Sequence, residues 1–251
     1  MSANQQVLSS IGGQVVGQYL YAFFSDNVAW IVPAGVTSIS VVCVGPGTST
    51  NSTFVGHGGC LRYVNNIRVT PGETLYIDCR DNGARLRRGS TVLCYGPKYE
   101  NRAQAVGTGG DGGVTPNPGS YNSGGGGAGG YSGNGGIGGS ISGSNPGAGS
   151  GGGGGGGTGS PYGGRGGGGG GVGVLGIGSN GAAGTGVNTT TPGGGGGGSG
   201  GTGGGQGDRN AQNQYPIGGN YGGGGNSYNG AVRIIWPGNL RQFPSTRTAN
   251  E

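Results

Sequence analysis

"GSGGGGGGGTGS", Gly149 to Ser160, holds seven consecutive glycines, Gly151 to Gly157. Two runs of six follow, Gly166–Gly171 and Gly193–Gly198. Such runs carry no side chains to bury, and glycine loses more conformational freedom on folding than any other residue. Ordering a backbone costs about 1–2 kcal/mol per residue. The ordinary reading of Gly with Ser, Asn and Pro is therefore a flexible linker or a disordered coil. Whether these runs can order themselves decides the fold.

Two ordered solutions compete with the coil. Collagen needs Gly at every third position with Pro-rich residues between, and unbroken glycine runs destroy that period. Extended left-handed strands need no such period. At about 3.1 Å per residue, seven glycines span roughly 20 Å. With no Cβ atoms, neighbours can approach from every side, and their N–H and C=O groups can bond at about 0.5–1.5 kcal/mol net per bond. A glycine run is a rigid rod on the condition that other rods surround it.

Composition marks where such rods lie. Of the 75 glycines, 60 fall between Gly107 and Asn229, a stretch whose only charged residues are Asp111, Arg165, Asp208 and Arg209. The sequence thus predicts a β-strand domain over 24–106, a glycine-rich slab over 107–229, and a closing strand and tail over 230–251. The larger side chains of the slab sit between the runs, as in "VTPNPGSYNS" (Val114–Ser123) and "QGDRNAQNQYPIGGNY" (Gln206–Tyr221). These segments read as turns at the rod ends.

The flanks read as all-β, with short antiparallel strands and turn punctuation. In "VTSISVVCVG" the two-residue period puts Ile39, Val41 and Cys43 on one face. "GGCLRYVNNIRV" is a further strand. "TPGETLYIDCR" turns at Pro71-Gly72, then aligns Leu75, Ile77 and Cys79; "GSTVLCYG" follows. After the slab, "GAVRIIWPG" aligns Val232, Ile234 and Trp236, and Pro237-Gly238 stops the strand. A strand there that pairs back with the N-terminal half would close the slab into an excursion with fixed ends. No sustained helical period is present.

Charge and cysteine content bound the chemistry. The net charge is +5, and six of the 13 basic residues cluster in Arg80–Arg102. Arg85, Arg87 and Arg88 in "RDNGARLRRGS" suit phosphates or acidic sugars, or else form a solvated surface loop. "MSANQQVLSS" lacks the basic start and apolar core of a secretory signal. The longest apolar stretch, around "ISVVCVG", is too short to span a bilayer. Cytoplasmic synthesis without membrane insertion is expected. Cys43, Cys60, Cys79 and Cys94 lack paired C-x-x-C spacing, so buried free thiols are expected rather than a zinc site. No metal or cofactor is predicted.

"WIVPAGVTSISVVCVGPG", "VTPGETLYI" and "GAVRIIWPGNLRQFPST", with the long glycine runs between them, resemble glycine-rich structural proteins of tailed bacteriophages. The resemblance covers roughly Phe24 to Thr248. Relatives of this kind include glycine-rich adhesins at the tips of long tail fibres in T-even-like phages. The resemblance implies polyglycine II strands packed in a lattice, capped by loops that recognise the host surface. The chain departs from the family at "GTSTNSTFVGHGGCLRY", where Gly or Ala is usual, and in its cysteines. Residues 1–23 match nothing in the family and read as a docking arm, or as a first strand with a frayed end.

Catalytic patterns are missing from the sequence. His57 is the only histidine, and the acidic residues show no paired spacing for glycoside hydrolysis. G-x-G-x-x-G recurs through sheer glycine content, without the strand-turn-helix context that gives it meaning. Lys98 is the only lysine, so no phosphate-binding G-K-[ST] exists. A single "GGRGG" around Arg165 is too little for RNA binding, and no nucleic-acid partner is expected. Two classes remain. One is a virion adhesin touching a bacterial surface glycan or outer-membrane protein through rod-end residues Tyr121, Tyr162, Asn210, Tyr215 and Tyr221, since aromatic faces with a polar handle suit recognition. The same tyrosines could equally cap the lattice. The other is a structural virion part, a collar, whisker, baseplate or capsid decoration, whose loops contact other virion proteins. "GVLGIG" (Gly173–Gly178) is the one loop apolar enough for that role. The oligomeric state stays open.

Overall fold

Alternating apolar residues need a second layer to cover them, and the flanks of the glycine region supply two sheets. The computed structural model describes residues 4–11, 14–22, 25–48, 56–116, 123–140, 145–153, 155–156, 166–185, 195–196, 198, 203, 219–224 and 230–244. Among these lie β1 (Asn4–Ile11), β2 (Gln14–Tyr21), β3 (Ser25–Ile31), β4 (Ser38–Val44), β5 (Leu61–Arg68), β6 (Thr74–Arg80), β7 (Gly83–Arg88), β8 (Thr91–Pro97) and β9 (Ala231–Trp236). One short 3-10 helix spans Tyr99–Gln104. The strands form two sheets, ordered β1-β2-β9-β4-β5 and β3-β6-β7-β8. All pairings are antiparallel. The class is therefore all-β. No helix of the described residues is long and apolar enough to cross a membrane.

The period-two faces meet as expected. Ile39, Val41 and Cys43 of β4, Leu75, Ile77 and Cys79 of β6, and Val232, Ile234 and Trp236 of β9 join one buried cluster between the sheets. Trp30 packs on Trp236 with ring centroids 5.7 Å apart. At the end of β3 the chain turns at Pro33–Gly35, and Thr70–Glu73 turns before β6. There the Glu73 N–H donates to the Thr70 carbonyl at 2.9 Å, and Gly72 takes the φ of +82° that a side chain would resist.

Two segments add to or correct the sequence reading. "RDNGARLRRGS" is no loop: residues 83–88 are β7, paired with β6 and β8. Ala84 and Leu86 point into the core and are fully buried. Residues 1–23, which the motifs left unmatched, supply β1 and β2, and β2 pairs with β9.

The C-terminal strand β9 lies between β2 and β4, at the centre of its sheet. Its other face, Ala231 and Ile235, joins Val42, Val44 and Leu61 in a second cluster with Ala128, Tyr131, Val172 and Val174. The five-stranded sheet is thus covered twice, by the second sheet and by the glycine-rich region.

In that region, backbone bonds replace side-chain packing. From Gly124 to Gly129 the N–H groups donate in turn to Gly139, Gly167, Gly56, Gly136, Gly170 and Gly59. The partner segment thus repeats every third residue. The carbonyls of Gly125 and Ala128 accept from Gly156 and Gly153, those of Gly127 and Gly130 from Gly113 and Gly110, and that of Gly126 from Gly224. One segment is bonded to six neighbours, three through N–H and three through C=O. Residues 56–59 and 167–170 run parallel to it, and residues 110–113, 133–139 and 153–156 antiparallel. A Cβ built on Gly126 would lie well under 3.0 Å from the Gly113 carbonyl oxygen, and one on Gly58 equally close to the Gly127 oxygen.

Gly126→Val should therefore lower stability by about 3 kcal/mol or more, because backbone on both sides leaves no side chain to yield. Thermal unfolding followed by circular dichroism checks this; an unchanged transition would contradict the close approach. Removal of residues 231–251 takes out a central strand and should leave an unfolded or insoluble chain. A truncated chain with the native β-sheet spectrum would contradict that placement.

Candidate functional site

Four of the five rod-end candidates, Tyr121, Tyr162, Asn210 and Tyr215, lie outside the described residues. Tyr221 is described. Its N–H donates to Val172 O at 3.1 Å, and its carbonyl accepts from Val172 N–H at 2.9 Å. Its ring packs half-buried against the cluster of Val42, Val44 and Ala128, and burial raises the pKa of its hydroxyl. A buried aromatic group that sequence reasoning missed stands nearby: Tyr131 stacks on Phe243 at 5.8 Å, and Tyr63 tilts against both.

The basic residues of β7 are organised by carboxylates. Arg85 Nε and Arg87 Nε both donate to Asp78 Oδ2, at 2.8 and 2.9 Å. The Asn27 N–H donates to Asp78 Oδ1 at 2.7 Å, from a bulge in β3 where Asn27 has φ +55°. Burial alone would raise the Asp78 pKa. The Asn27 N–H and the Arg87 and Arg85 guanidiniums outweigh it and hold the carboxyl below its ordinary value. Arg87 also lies over the Tyr76 ring, 4.8 Å from its centroid. Arg88 grips Glu73 with Nε and Nη2. The sequence offered Arg85, Arg87 and Arg88 as basic surface candidates. The structure pairs each one, because β6 and the turn before it bring Asp78 and Glu73 alongside.

Two clefts flank this strand. The larger, about 730 Å³, lies where the ends of β4, β5 and β7 meet the chain after β9, and includes Asn66, Arg68, Glu73, Arg88 and Asn239. The smaller, about 360 Å³, includes Asp26, Asp78, Arg80, Arg85 and Tyr95. Its two carboxylates are each ion-paired, Asp26 with Arg80 and Asp78 with Arg85. The Asp78 carboxyl, held below its ordinary pKa, is a poor proton donor. Arg68 was not singled out from sequence; its place at the end of β5 emerges only from strand register.

His57 does structural work. Its Nδ1 accepts the Thr115 N–H at 2.9 Å, and its ring lies 4.7 Å from that of Tyr99. Thr115 Oγ1 donates in turn to Gly56 O at 2.6 Å. Burial lowers the His57 pKa; Glu100 opposes this and Arg102 adds to it. The four cysteines are free and buried. Burial pushes the Cys60 thiol up to about 11 and the Cys79 thiol to about 12. Among the described residues no group of three or more His, Cys, Asp or Glu side chains could hold a metal ion.

The His57 bond gives a pH dependence. The folded pKa lies below the ordinary 6.5, so the neutral ring is favoured in the fold. The stability it contributes is full above that value and is lost as the pH falls from there through the folded pKa. Protonation at Nδ1 would also remove the acceptor for Thr115. The melting temperature should fall as the pH drops below about 6.5. His57→Asn keeps an acceptor without a titration and should flatten that slope; an equal slope in the variant would contradict the assignment.

The chain matches no protein-family model, no curated protein and no solved structure.

Proposed function

We propose that the glycine-rich region is a polyglycine II bundle and that the protein is a non-enzymatic bacteriophage virion component, a tail-fibre-associated adhesin. In this reading it is assembled in the host cytoplasm, joins other virion proteins, and meets a bacterial surface glycan or outer-membrane protein. The observation that carries the proposal is the bonding around residues 124–130. Partners repeat every third residue and come from six segments, which fits an extended left-handed helix of three residues per turn. The phage-like motifs flank that region in order. The bundle holds its connecting loops on a stiff base, so little conformational freedom is lost when they bind. The ion-paired carboxylates, the buried thiols and a histidine committed to Thr115 support a role without catalysis.

One observation favours the second reading, a structural virion part without receptor contact. Leu175 and Ile177, in the apolar "GVLGIG" loop, are 47% and 39% exposed, and Ile137 is 48% exposed. Apolar side chains in solvent suit a protein neighbour better than a sugar.

Exchange of residues 114–123 and 206–221 for those of a phage with another host separates the readings. An adhesin should change host range by orders of magnitude in plating efficiency while particles still assemble. Loss of assembly would assign the same loops to virion contacts. Unchanged adsorption to the original host would remove them from recognition.

A further inference from the structure

The larger cleft carries an unneutralised charge. Arg68 is the one described arginine whose guanidinium has no hydrogen bond, ion pair or ring contact. Its counterparts are engaged: Arg62 with Asp111, Arg80 with Asp26, Arg85 and Arg87 with Asp78, Arg88 with Glu73, and Arg102 over the Tyr99 ring. The buried Arg233 and Arg241 bond to Gln18 and to the Gly17 carbonyl. Arg88 is pinned in the cleft wall, since its Nη2 also donates to the Arg68 carbonyl at 2.7 Å. Two arginines against the single carboxylate of Glu73 leave one positive charge facing the cleft.

Neutral donors stand beside that charge. Asn66 sits where the β4–β5 register shifts between Ile39 and Val41, and takes φ +52°. A left-handed asparagine on a bulge is a costly way to re-aim a side chain. Its side-chain amide has no partner among the described residues. Asn239 accepts from the Ser38 hydroxyl through Oδ1 at 3.2 Å, which leaves its amide NH2 unengaged. No aromatic residue lines the cleft.

We propose that this cleft binds an acidic sugar, with Arg68 on its oxyanion and the Asn66 and Asn239 amides on ring hydroxyls. A guanidinium fork matches a carboxylate or phosphate. A cleft of about 730 Å³ is far larger than a bare anion, and its amide and hydroxyl lining matches a polyol ring. The oxyanion is a uronic-type carboxylate or a sugar phosphate; both present the same chemistry to Arg68. The assignment stands on the cleft alone and holds whether or not the rod-end loops recognise a host.

The test titrates the full chain with glucuronate, glucose 6-phosphate, glucose and inorganic phosphate, by calorimetry or ligand-observed NMR. One or both acidic sugars should bind with a Kd of about 1 mM, at least about tenfold more tightly than glucose or inorganic phosphate. Preference between the two acids identifies the oxyanion. Arg68→Gln should weaken binding at least about tenfold, with Arg68→Lys recovering part of it. Asn66→Gly, which also relieves the left-handed backbone, should weaken it without loss of stability. Arg102→Gln should have no effect. Glucose or phosphate binding as tightly as the acids, an unaffected Arg68→Gln variant, or no acid binding at about 10 mM would each overturn the proposal.

Discussion

A buried backbone amide must find a partner, and residues 124–130 of the glycine-rich region meet that demand on several sides at once. A β-strand bonds sideways to two neighbours and leaves its faces to side chains. Residues 124–130 bond to six neighbours, so no face remains for side chains to fill. The absence of Cβ atoms is then the condition for the structure rather than a weakness. At Gly126 and Gly58 an added methyl would meet carbonyl oxygens of adjacent segments. Ala128 is the exception, and its methyl lies where the segment meets Val42 and Val44 of the sheet.

That contact explains the layering. The five-stranded sheet lies between the second sheet and the glycine region, and β9 carries both contacts. Arg233 of β9 ties the layers further. It is fully buried, with Nε and Nη2 on Gln18 Oε1 of β2 and Nη1 on the Val174 carbonyl. Burial pushes its pKa down to about 10, still high enough to leave the guanidinium charged at neutral pH. Arg62 does the same from β5, donating to the Gly110 carbonyl at 2.7 Å and to Asp111. Because β9 follows the glycine region in sequence but pairs with β2 and β4, the long excursion is closed at both ends, which removes the freedom a dangling tract would keep.

The same register sets the surface chemistry. Placing β6 beside β7 lets Asp78 serve two arginines, and the turn before β6 gives Glu73 to Arg88. What is left over is Arg68 at the end of β5. Among the described arginines this leaves one open charge, Arg68, in a polar cleft. This sharpens what the protein can hold there, while the rod-end loops and the apolar "GVLGIG" loop bear on the adhesin and structural readings.

Sequence alone determined the strand class and several faces. The alternation at Leu75, Ile77 and Cys79, and at Val232, Ile234 and Trp236, names an apolar side that water will not accept. The glycine runs themselves carry no side chains to bury, and the Pro71-Gly72 and Pro237-Gly238 pairs located turns. The strand at Gly83–Arg88 was also legible, since Ala84 and Leu86 alternate with Arg85 and Arg87, but the charge obscured the period. Only the tertiary structure decided that Val42 and Val44 are covered by the glycine region, that β9 sits between β2 and β4, and that Arg68, alone among the described arginines, has no partner for its guanidinium. The physical reason is that periodicity reports which side of a strand avoids water, not what covers it. Glycine runs carry even less: with no side chains to distinguish one run from another, nothing local in the sequence says that Gly126 bonds to Gly56 and Gly224. That choice belongs to backbone groups brought together across the whole chain.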